Sequence, residues 1–114
     1  IRNTSAVTAA CVLFRTEVFD KIGGFQEKYR INYNDVDLCL RLVEEGYRNV
    51  YLPQVSLIHY ESISRGLPNT KKHDDREFNE AQIMFKNEWK AYMKHDPALN
   101  PNFSKKTPYL NVKE

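Results

Sequence analysis

Two carboxylates and a histidine are the residues of this chain best suited to chemistry. Asp35 and Asp37 stand at the start of a segment with helical periodicity, and His59 ends an apolar run. A carboxylate at a helix N-terminus lies near the positive end of the helix dipole, which favours its charged form. A fixed, ionised carboxylate can accept a proton from a hydroxyl group, and a histidine at a strand end is placed to bind a metal or a phosphate.

Each of these residues also has a purely structural interpretation. Asp35 and Asp37 could be capping charges on a solvated helix face. His59 could be a hydrogen-bonded core residue, which is the usual role of a single histidine at a strand end. Calcium binding of the EF-hand type is excluded, because Leu38, Cys39 and Leu40 supply neither the third oxygen ligand nor the turn glycine.

The composition narrows the class of protein. With 114 residues and a mass of 13.4 kDa, the chain has room for one small domain. Its hydrophobic content of 41% is that of a globular chain, and a net charge of +2 is too small to indicate nucleic-acid binding. The apolar run at residues 6–14 is too short to span a membrane, which requires about 20 residues. No signal peptide is visible, and the first residues resemble the middle of a protein.

The two cysteines favour a reducing compartment. Cys11 and Cys39 both stand in apolar surroundings. Free buried thiols are favoured over a disulfide, because small secreted domains usually carry more cysteines. Their spacing is not that of a metal site.

The elements that must position these residues follow from the apolar pattern. Residues 7–14 form a nearly continuous apolar run, which predicts a strand buried on both faces. Thr16 is predicted to cap a short helix that Gly23 and Gly24 end. Residues 25–32 are polar and irregular.

A longer helix is predicted to begin at Asn34 and to end at Gly46. Asn34 is a suitable N-cap, with Asp37 as its capping-box partner. Leu38 and Leu42 widen the apolar stripe, so we expect this helix to be covered on more than one side. The other positions of the stripe follow the 3.6-residue period: Val36, Cys39, Leu40, Val43 and Tyr47.

The second half of the sequence predicts two short strands, a loop, a helix and a tail. Residues 50–52 and 55–59 are the strands, separated by Pro53. Residues 62–75 have the composition of a loop. From about Asp74 a second long helix is expected, with a core-packing face of Phe78, Ala81, Phe85, Trp89 and Tyr92. Prolines make the residues after His95 an extended tail.

Taken in order, several segments resemble the second half of a glycosyltransferase family 2 domain. They are Thr-Ala-Ala-Cys-Val-Leu-Phe-Arg at 8–15, Gly-Gly-Phe at 23–25, Asn-Asp-Val-Asp-Leu-Cys-Leu-Arg at 34–41, Glu-Gly-Tyr at 45–47, and His-Tyr-Glu-Ser-Ile-Ser-Arg-Gly at 59–66. Asp-Pro at 96–97 and Asn-Pro-Asn-Phe-Ser at 100–104 resemble the tail of many bacterial members. The ordered set carries the resemblance, since no single segment is specific.

The resemblance implies an α/β fold, the C-terminal half of a GT-A domain. Residues 1–95 would be its acceptor and catalytic-base half, a short mixed sheet packed by two longer helices, and residues 96–114 an extended, proline-containing tail. Family members transfer a sugar from a nucleotide-sugar to an acceptor with inversion. Asp35 matches the second acid of the family's Glu-Asp pair, which implies the base that deprotonates the acceptor hydroxyl. Asn34 replaces the usual glutamate and loses a charge.

The remaining site residues are also assigned by the resemblance. Asn34 and Asp37 would be substrate-binding residues, with a structural role as the alternative for Asp37. His59 matches a histidine that completes the coordination of a divalent metal, Mn²⁺ or Mg²⁺, on the donor diphosphate. A loop that closes over the donor would carry Ser62, Ser64 and Arg65, and an arginine suits bidentate phosphate contact.

One apparent motif is rejected. Asp35-Val36-Asp37 has the form of the Asp-x-Asp motif that binds the metal in this fold, but that motif follows an apolar strand. Here it is preceded by polar residues and followed by an amphipathic helix. The true motif is therefore expected in an absent nucleotide-binding half, together with the oxygen ligands of the metal. The chain alone is expected to be an inactive fragment of its enzyme.

The expected partners are a nucleotide-sugar donor and a glycan acceptor, in cell-surface polysaccharide or glycan synthesis. We expect no nucleic acid, no transmembrane segment in this chain, and a cytoplasmic location that includes the inner face of the membrane. Unpaired apolar surface at the strand of residues 7–14 or in the C-terminal segment predicts a homodimer of the fragment. The alternative is a non-catalytic interaction module derived from the same half-domain. The adjoining sequence would distinguish the two, since an Asp-x-Asp half upstream favours the enzyme.

Overall fold

The computed structural model describes residues 1–30, 32–60 and 72–98, and of residues 72–75 the backbone only. The elements in chain order are β1 (Arg2–Thr4), α1 (Thr16–Lys21), α2 (Asn34–Glu44), β2 (Asn49–Tyr51), α3 (Lys72–Glu88) and α4 (Lys90–Lys94). This is a small α/β arrangement, as predicted. In these residues no helix has the length and apolar character that crossing a bilayer would require.

The sheet is smaller than expected. β1 and β2 pair antiparallel, with Arg2 opposite Tyr51, Asn3 opposite Val50 and Thr4 opposite Asn49. The mixed sheet that we predicted is therefore wrong within the described residues, where the sheet has these two strands. β2 confirms the first predicted strand of the second half.

The predicted strand at residues 7–14 is wrong. These residues are irregular and mostly exposed, with Leu13 96% exposed. The physical reason lies in the backbone donors: Val7 N–H is directed at Cys39 Sγ (3.4 Å) and Ala9 N–H at Asp35 Oδ2 (3.1 Å). Side chains of α2 thus take the hydrogen bonds that a neighbouring strand would have taken.

The predicted strand at residues 55–59 is also wrong. Residues 52–60 contain neither helix nor strand, and Leu57 and Ile58 are 70% and 80% exposed. Pro53 lacks a backbone N–H and cannot continue the ladder of β2. His59 therefore lies on an irregular, exposed segment and not at the end of a strand.

α1 is present where the sequence predicted it, but its N-cap is different. Thr16 is the first helical residue, and Arg15 is the N-cap, whose carbonyl accepts the N–H groups of Val18 and Phe19 (both 3.1 Å). The helix ends at a Schellman motif in which Gly24 N–H bonds to Phe19 O (3.0 Å) and Gly23 N–H to Asp20 O (3.1 Å).

α2 begins one residue earlier than predicted, because the prediction makes Asn34 the N-cap and not the first helical residue. Asn34 is already helical, and the N-cap is Tyr33 in the left-handed conformation (φ 67°). The capping box is wrong, because Asp37 bonds to other partners described below. Burial of Leu38 and Leu42 confirms that the helix is covered on more than one side, whereas Tyr47 is exposed.

The core lies between α2, residues 25–30 and 32–33, and α3. Its centre is a group of buried side chains: Tyr29, Leu40, Ala81, Phe85 and Trp89. Tyr33 stacks on Phe85 with 4.8 Å between ring centroids, which helps to offset its left-handed backbone. The predicted second helix exists as a core-packing helix, but it breaks at Trp89 (φ −108°, ψ 27°) into α3 and α4. Residues 99–114 of the tail lie outside the described residues.

Candidate functional site

Asp35 lies half-buried in the first turn of α2, and its carboxylate is held by backbone amides. Its Oδ1 accepts the N–H of Val36 (2.9 Å) and its Oδ2 that of Ala9 (3.1 Å). Asn34 Oδ1 accepts the N–H of Asp35 itself (2.8 Å). The two side chains thus satisfy N–H groups that the start of a helix leaves without an intrahelical partner. Each carboxylate oxygen has two acceptor positions, so Asp35 keeps capacity for a further hydrogen.

The segment that covers Asp35 is fastened to α2 at several points. Val7 bonds to Cys39 Sγ and Ala9 to Asp35, so contacts two residues apart on the segment meet residues one turn apart on the helix. Asn49 is buried and donates to Ser5 O (3.1 Å) and Cys39 O (3.0 Å). These two bonds join β2 to the N-terminal segment and to α2. Burial raises the pKa of the Cys39 thiol, with a smaller opposing effect of its hydrogen bond to Val7.

Asp37 has very different surroundings from Asp35. It is 0% exposed, and its oxygens accept hydrogens from Arg41 Nε (2.9 Å) and from the indole Nε1 of Trp89 (2.9 Å). Both protein contacts come from residues that are themselves largely buried. In this conformation Asp37 offers a substrate no accessible surface, and its carboxylate joins α2 to the α3–α4 junction.

Arg41 extends this link to the end of α1. Its Nη1 donates to Ile22 O (2.9 Å) and its Nη2 to Gly24 O (2.7 Å). These are carbonyls at the C-terminal end of a helix and in the turn after it, where a cation is electrostatically favoured. The side chain of Arg41 therefore fixes the Gly23-Gly24 turn against α2, with Asp37 as its counter-ion. We call Asp37, Arg41 and Trp89 the buried triad.

A second polar contact ties residues 28 and 29 to α3. The phenol of Tyr29 donates to Glu88 Oε2 (2.8 Å), and Lys28 forms an ion pair with the same oxygen. Burial raises the pKa of Tyr29, and the hydrogen bond to Glu88 and the negative charges of Glu88 and Asp37 add to the increase. Burial alone would raise the pKa of Glu88, but hydrogen bonds from Lys28 and Tyr29 and the charges of Lys28 and Arg41 hold it below its ordinary value.

The structure brings some of the predicted site residues together and leaves others apart. Asn34 and Asp35 share the first turn of α2, whereas Asp37 lies on the core side of the same turn. His59 is exposed, and the described contacts do not join it to α2. Ser62, Ser64 and Arg65 lie outside the described residues.

Metal binding finds no complete site in the part of the chain that the structure describes. No three His, Cys, Asp or Glu side chains converge there. His59 could supply one nitrogen ligand, which is not sufficient for a hard cation such as Mg²⁺. The described residues therefore do not by themselves fit the metal that the resemblance implies.

Sequence reasoning missed the buried triad and the Tyr29–Glu88 contact. Asp37 and Arg41 are four residues apart on a helix, a spacing that favours an ion pair and could have revealed their contact. The helical period indicates Trp89 as a core residue, but a buried indole N–H also requires an acceptor. No sequence pattern indicates the contact of Tyr29, because Tyr29 lies in a segment without periodicity.

Comparison with known proteins finds bacterial relatives that are far longer than this chain. The chain is 42% identical over 104 residues to the uncharacterized protein y4gI of Sinorhizobium fredii, covering 90% of this chain and 11% of that protein. It is 38% identical over 110 residues to the O-antigen biosynthesis protein RfbC of Myxococcus xanthus, covering 96% of this chain and 7% of that protein.

A shorter match reaches a protein with a named reaction. The chain is 37% identical over 60 residues to the N-acetylglucosaminyl-diphospho-decaprenol L-rhamnosyltransferase of Mycobacterium tuberculosis, covering 53% of this chain and 20% of that enzyme. The chain thus spans a small part of the length of each of these relatives. No family model matches it, and no solved structure does.

Proposed function

We propose that this chain is the acceptor-side part of an inverting, family 2-like glycosyltransferase of the GT-A type that acts in surface-polysaccharide synthesis. The observation that carries the proposal is the similarity over 96% of the chain to a protein named for O-antigen biosynthesis. The shorter match to a named rhamnosyltransferase supports the reaction class. The resemblance of residues 8–66 to the family's ordered segments supports the half-domain assignment.

In the proposed reaction Asp35 is the general base. The acceptor hydroxyl would lose its proton to the Asp35 carboxylate as its oxygen attacks the anomeric carbon of the donor. The bond from that carbon to the nucleoside diphosphate breaks at the same time, and attack from the opposite face inverts the configuration. The hydrogen bonds from Ala9 and Val36 fix the direction of the carboxylate, which is the positioning that general-base catalysis requires.

The other assigned residues have supporting roles in the proposal. Asn34 stands beside the base and orients the first turn through its bond to the Asp35 N–H. Ser62, Ser64 and Arg65 would contact the donor. Asp37 acts on the site through the buried triad, and not by touching the substrate.

The proposal includes a divalent metal, most of whose ligands would come from outside the described residues. His59 would contribute one ligand, and the metal would act as a Lewis acid on the departing diphosphate. Because the described residues do not form a metal site, the base chemistry of Asp35 is proposed independently of the metal.

The experiment that tests the proposal is a transfer assay on the intact protein. Nucleoside-diphosphate sugars would be supplied singly with lipid-extract acceptors, and the anomeric configuration of the product would be read by NMR. We expect transfer from at least one donor, with inversion. Hydrolysis alone, or a product that retains the donor configuration, would contradict the proposed reaction.

A further inference from the structure

An open groove of about 580 Å³ lies beside the first turn of α2 and has no role in the mechanism above. It is lined by Phe25, Gln26, Glu27, Tyr29, Arg30 and Asn34. A groove of this volume is in the range that holds small organic ligands. Asn34 belongs to the wall of the groove and precedes Asp35 in the first turn of α2, so the groove lies at the helix end that carries the proposed base.

The exposed ring of Phe25 is held in a fixed position. It is 42% exposed and packs edge-on against Phe19 with 5.6 Å between ring centroids. Phe19 in turn packs on Phe14 at 5.6 Å. Arg41 holds the carbonyl of Gly24, the residue before Phe25. A large apolar ring that is exposed, and yet fixed from two sides, is suited to stacking against a flat apolar surface of a ligand.

The floor of the groove is equally fixed. Tyr29 is buried, its N–H bonds to Gln26 O (3.1 Å) in a tight turn, and its phenol is bonded to Glu88. The turn therefore presents Glu27 and Arg30 from a rigid base. The backbone of the groove is therefore already ordered before a ligand binds, which favours affinity.

The charges of the lining select the class of ligand. Glu27 and Arg30 contribute opposite charges, so the groove has no net positive charge for a diphosphate. Carboxylate, amide and guanidinium groups together offer both acceptors and donors, which hydroxyl groups require. A pyranose ring combines such hydroxyls with a flat C–H face.

We infer that this groove binds a neutral sugar ring of the acceptor, with Phe25 as the stacking surface and Glu27 and Arg30 as hydrogen-bonding partners. The assignment of the bound sugar to the acceptor rests on the proposed function, whereas sugar binding in the groove does not. The buried triad then acts on specificity, since Arg41 positions the turn that carries Phe25.

Saturation-transfer NMR on the intact protein tests the inference without turnover. The probes are methyl N-acetyl-β-glucosaminide, methyl α-L-rhamnoside and UDP. We expect saturation at the ring C–H protons of at least one pyranoside, and a loss of affinity of about tenfold in Phe25→Ala. Phe25→Tyr should retain binding. Tyr51→Ala, which removes an exposed ring on β2, is the matched control and should also retain it.

Several results would overturn the inference. One is the absence of pyranoside binding to the wild type, and another is unchanged pyranoside binding in Phe25→Ala. A third is a Phe25→Ala variant that loses affinity for UDP alone, which would place the donor in the groove. If Phe25→Ala does not fold, Arg30→Ala replaces it and should weaken pyranoside binding. Pyranoside binding at Phe25 in a protein that transfers no sugar would refute the transferase and leave the sugar site. Transfer activity with unchanged Phe25→Ala binding would refute the groove alone.

Discussion

Asp35 and Asp37 are two residues apart, but their environments assign them different tasks. Asp35 is half-buried and bonded to backbone amides. Asp37 is fully buried against Arg41 and Trp89. A buried charge is tolerated in a protein only when it is paired and hydrogen-bonded. Substitutions at the two positions should therefore separate stability from activity.

Asp37→Ala should strongly destabilise the fold. It leaves the Arg41 guanidinium and the Trp89 indole N–H without their common partner, and removal of one member of a buried ion pair costs about 3 kcal/mol or more. Urea unfolding followed by the fluorescence of Trp89, the single tryptophan of the chain, measures this. Asp35→Ala is the control and should cost about 1 kcal/mol, the value of a lost helix cap. Equal costs at the two positions would contradict the buried triad.

The Tyr29–Glu88 contact predicts stability losses at both ends of the pH scale. Glu88 has a lowered pKa in the folded state, so its contribution is present above the ordinary value of 4.5 and is lost as pH falls below it. Tyr29 has a raised pKa, so its contribution is present below the ordinary value of 10.0 and is lost as pH rises above it.

Thermal melts from pH 3 to pH 11 would measure both effects. Glu88→Gln should reduce the acid loss, and Tyr29→Phe should reduce the alkaline loss. Tyr51→Phe, at an exposed tyrosine, is the control and should leave the alkaline limb as it is in the wild type. An alkaline limb unchanged by Tyr29→Phe would show that other groups control it.

At the scale of the elements, short connections are fixed by side chains of α2. Arg41 holds the turn after α1, and Asp35 and Cys39 hold residues 7–9. The turn at Gly23 and Gly24 is the clearest case, because both residues have positive φ (82° and 65°). A side chain at Gly24 would also lie 3.1 Å from the ring of Phe19, whereas none of the described atoms lies within 4 Å at Gly23.

Gly24→Ala should therefore cost more than Gly23→Ala. Both substitutions place a side chain in the left-handed region, at about 1–2 kcal/mol each. Gly24→Ala additionally displaces the Phe19 ring, which costs about 1–3 kcal/mol more, the range typical of overpacking. Chemical denaturation gives the difference between the two variants. A Gly23→Ala variant as unstable as Gly24→Ala would contradict the packing of Phe19 on the turn.

The elements also show what sequence can and cannot predict here. α1, α2 and β2 were predictable because their apolar spacing and their glycine stops are local signals. The strand at residues 7–14 was not, because a strand requires a neighbour, and the donors of Val7 and Ala9 found α2 side chains instead. The position of Asp35 at a helix start makes it a candidate site residue, and that role stays a prediction. Its partner Ala9 and the link from Asp37 to Trp89 depend on tertiary contacts across 26 and 52 residues.

At the scale of the whole molecule, residues 50–60 carry the densest group of exposed large apolar side chains in the described part of the chain. Large apolar side chains are exposed at Val50, Tyr51, Leu52, Val55, Leu57, Ile58 and Tyr60. In the described sheet β2 pairs with β1 on one edge. Patches of this kind mark surfaces that contact another protein surface, so we expect the self-association to involve this segment, in addition to the predicted sites at residues 7–14 or in the C-terminal segment.

The isolated 114-residue chain should therefore self-associate at micromolar concentration. Leu57→Asp with Ile58→Asp should weaken association, because a charge in an apolar contact lacks a partner. Sedimentation velocity measures the mass directly. Leu13→Asp, at a side chain that is nearly fully exposed, tests the predicted site at residues 7–14 in the same way. A wild-type monomer of 13.4 kDa that melts cooperatively would contradict the prediction.

The most direct test of the proposed function is the turnover of Asp35→Asn in the intact protein. The variant keeps an acceptor for the Ala9 and Val36 amides but cannot take a proton from the acceptor hydroxyl. We predict a loss of about 10²-fold or more in turnover, with donor binding and melting temperature nearly unchanged. Asp20→Asn, at an exposed acid of α1, should retain full activity. Near-normal turnover in Asp35→Asn would remove this carboxylate from the reaction and contradict the proposed role of Asp35.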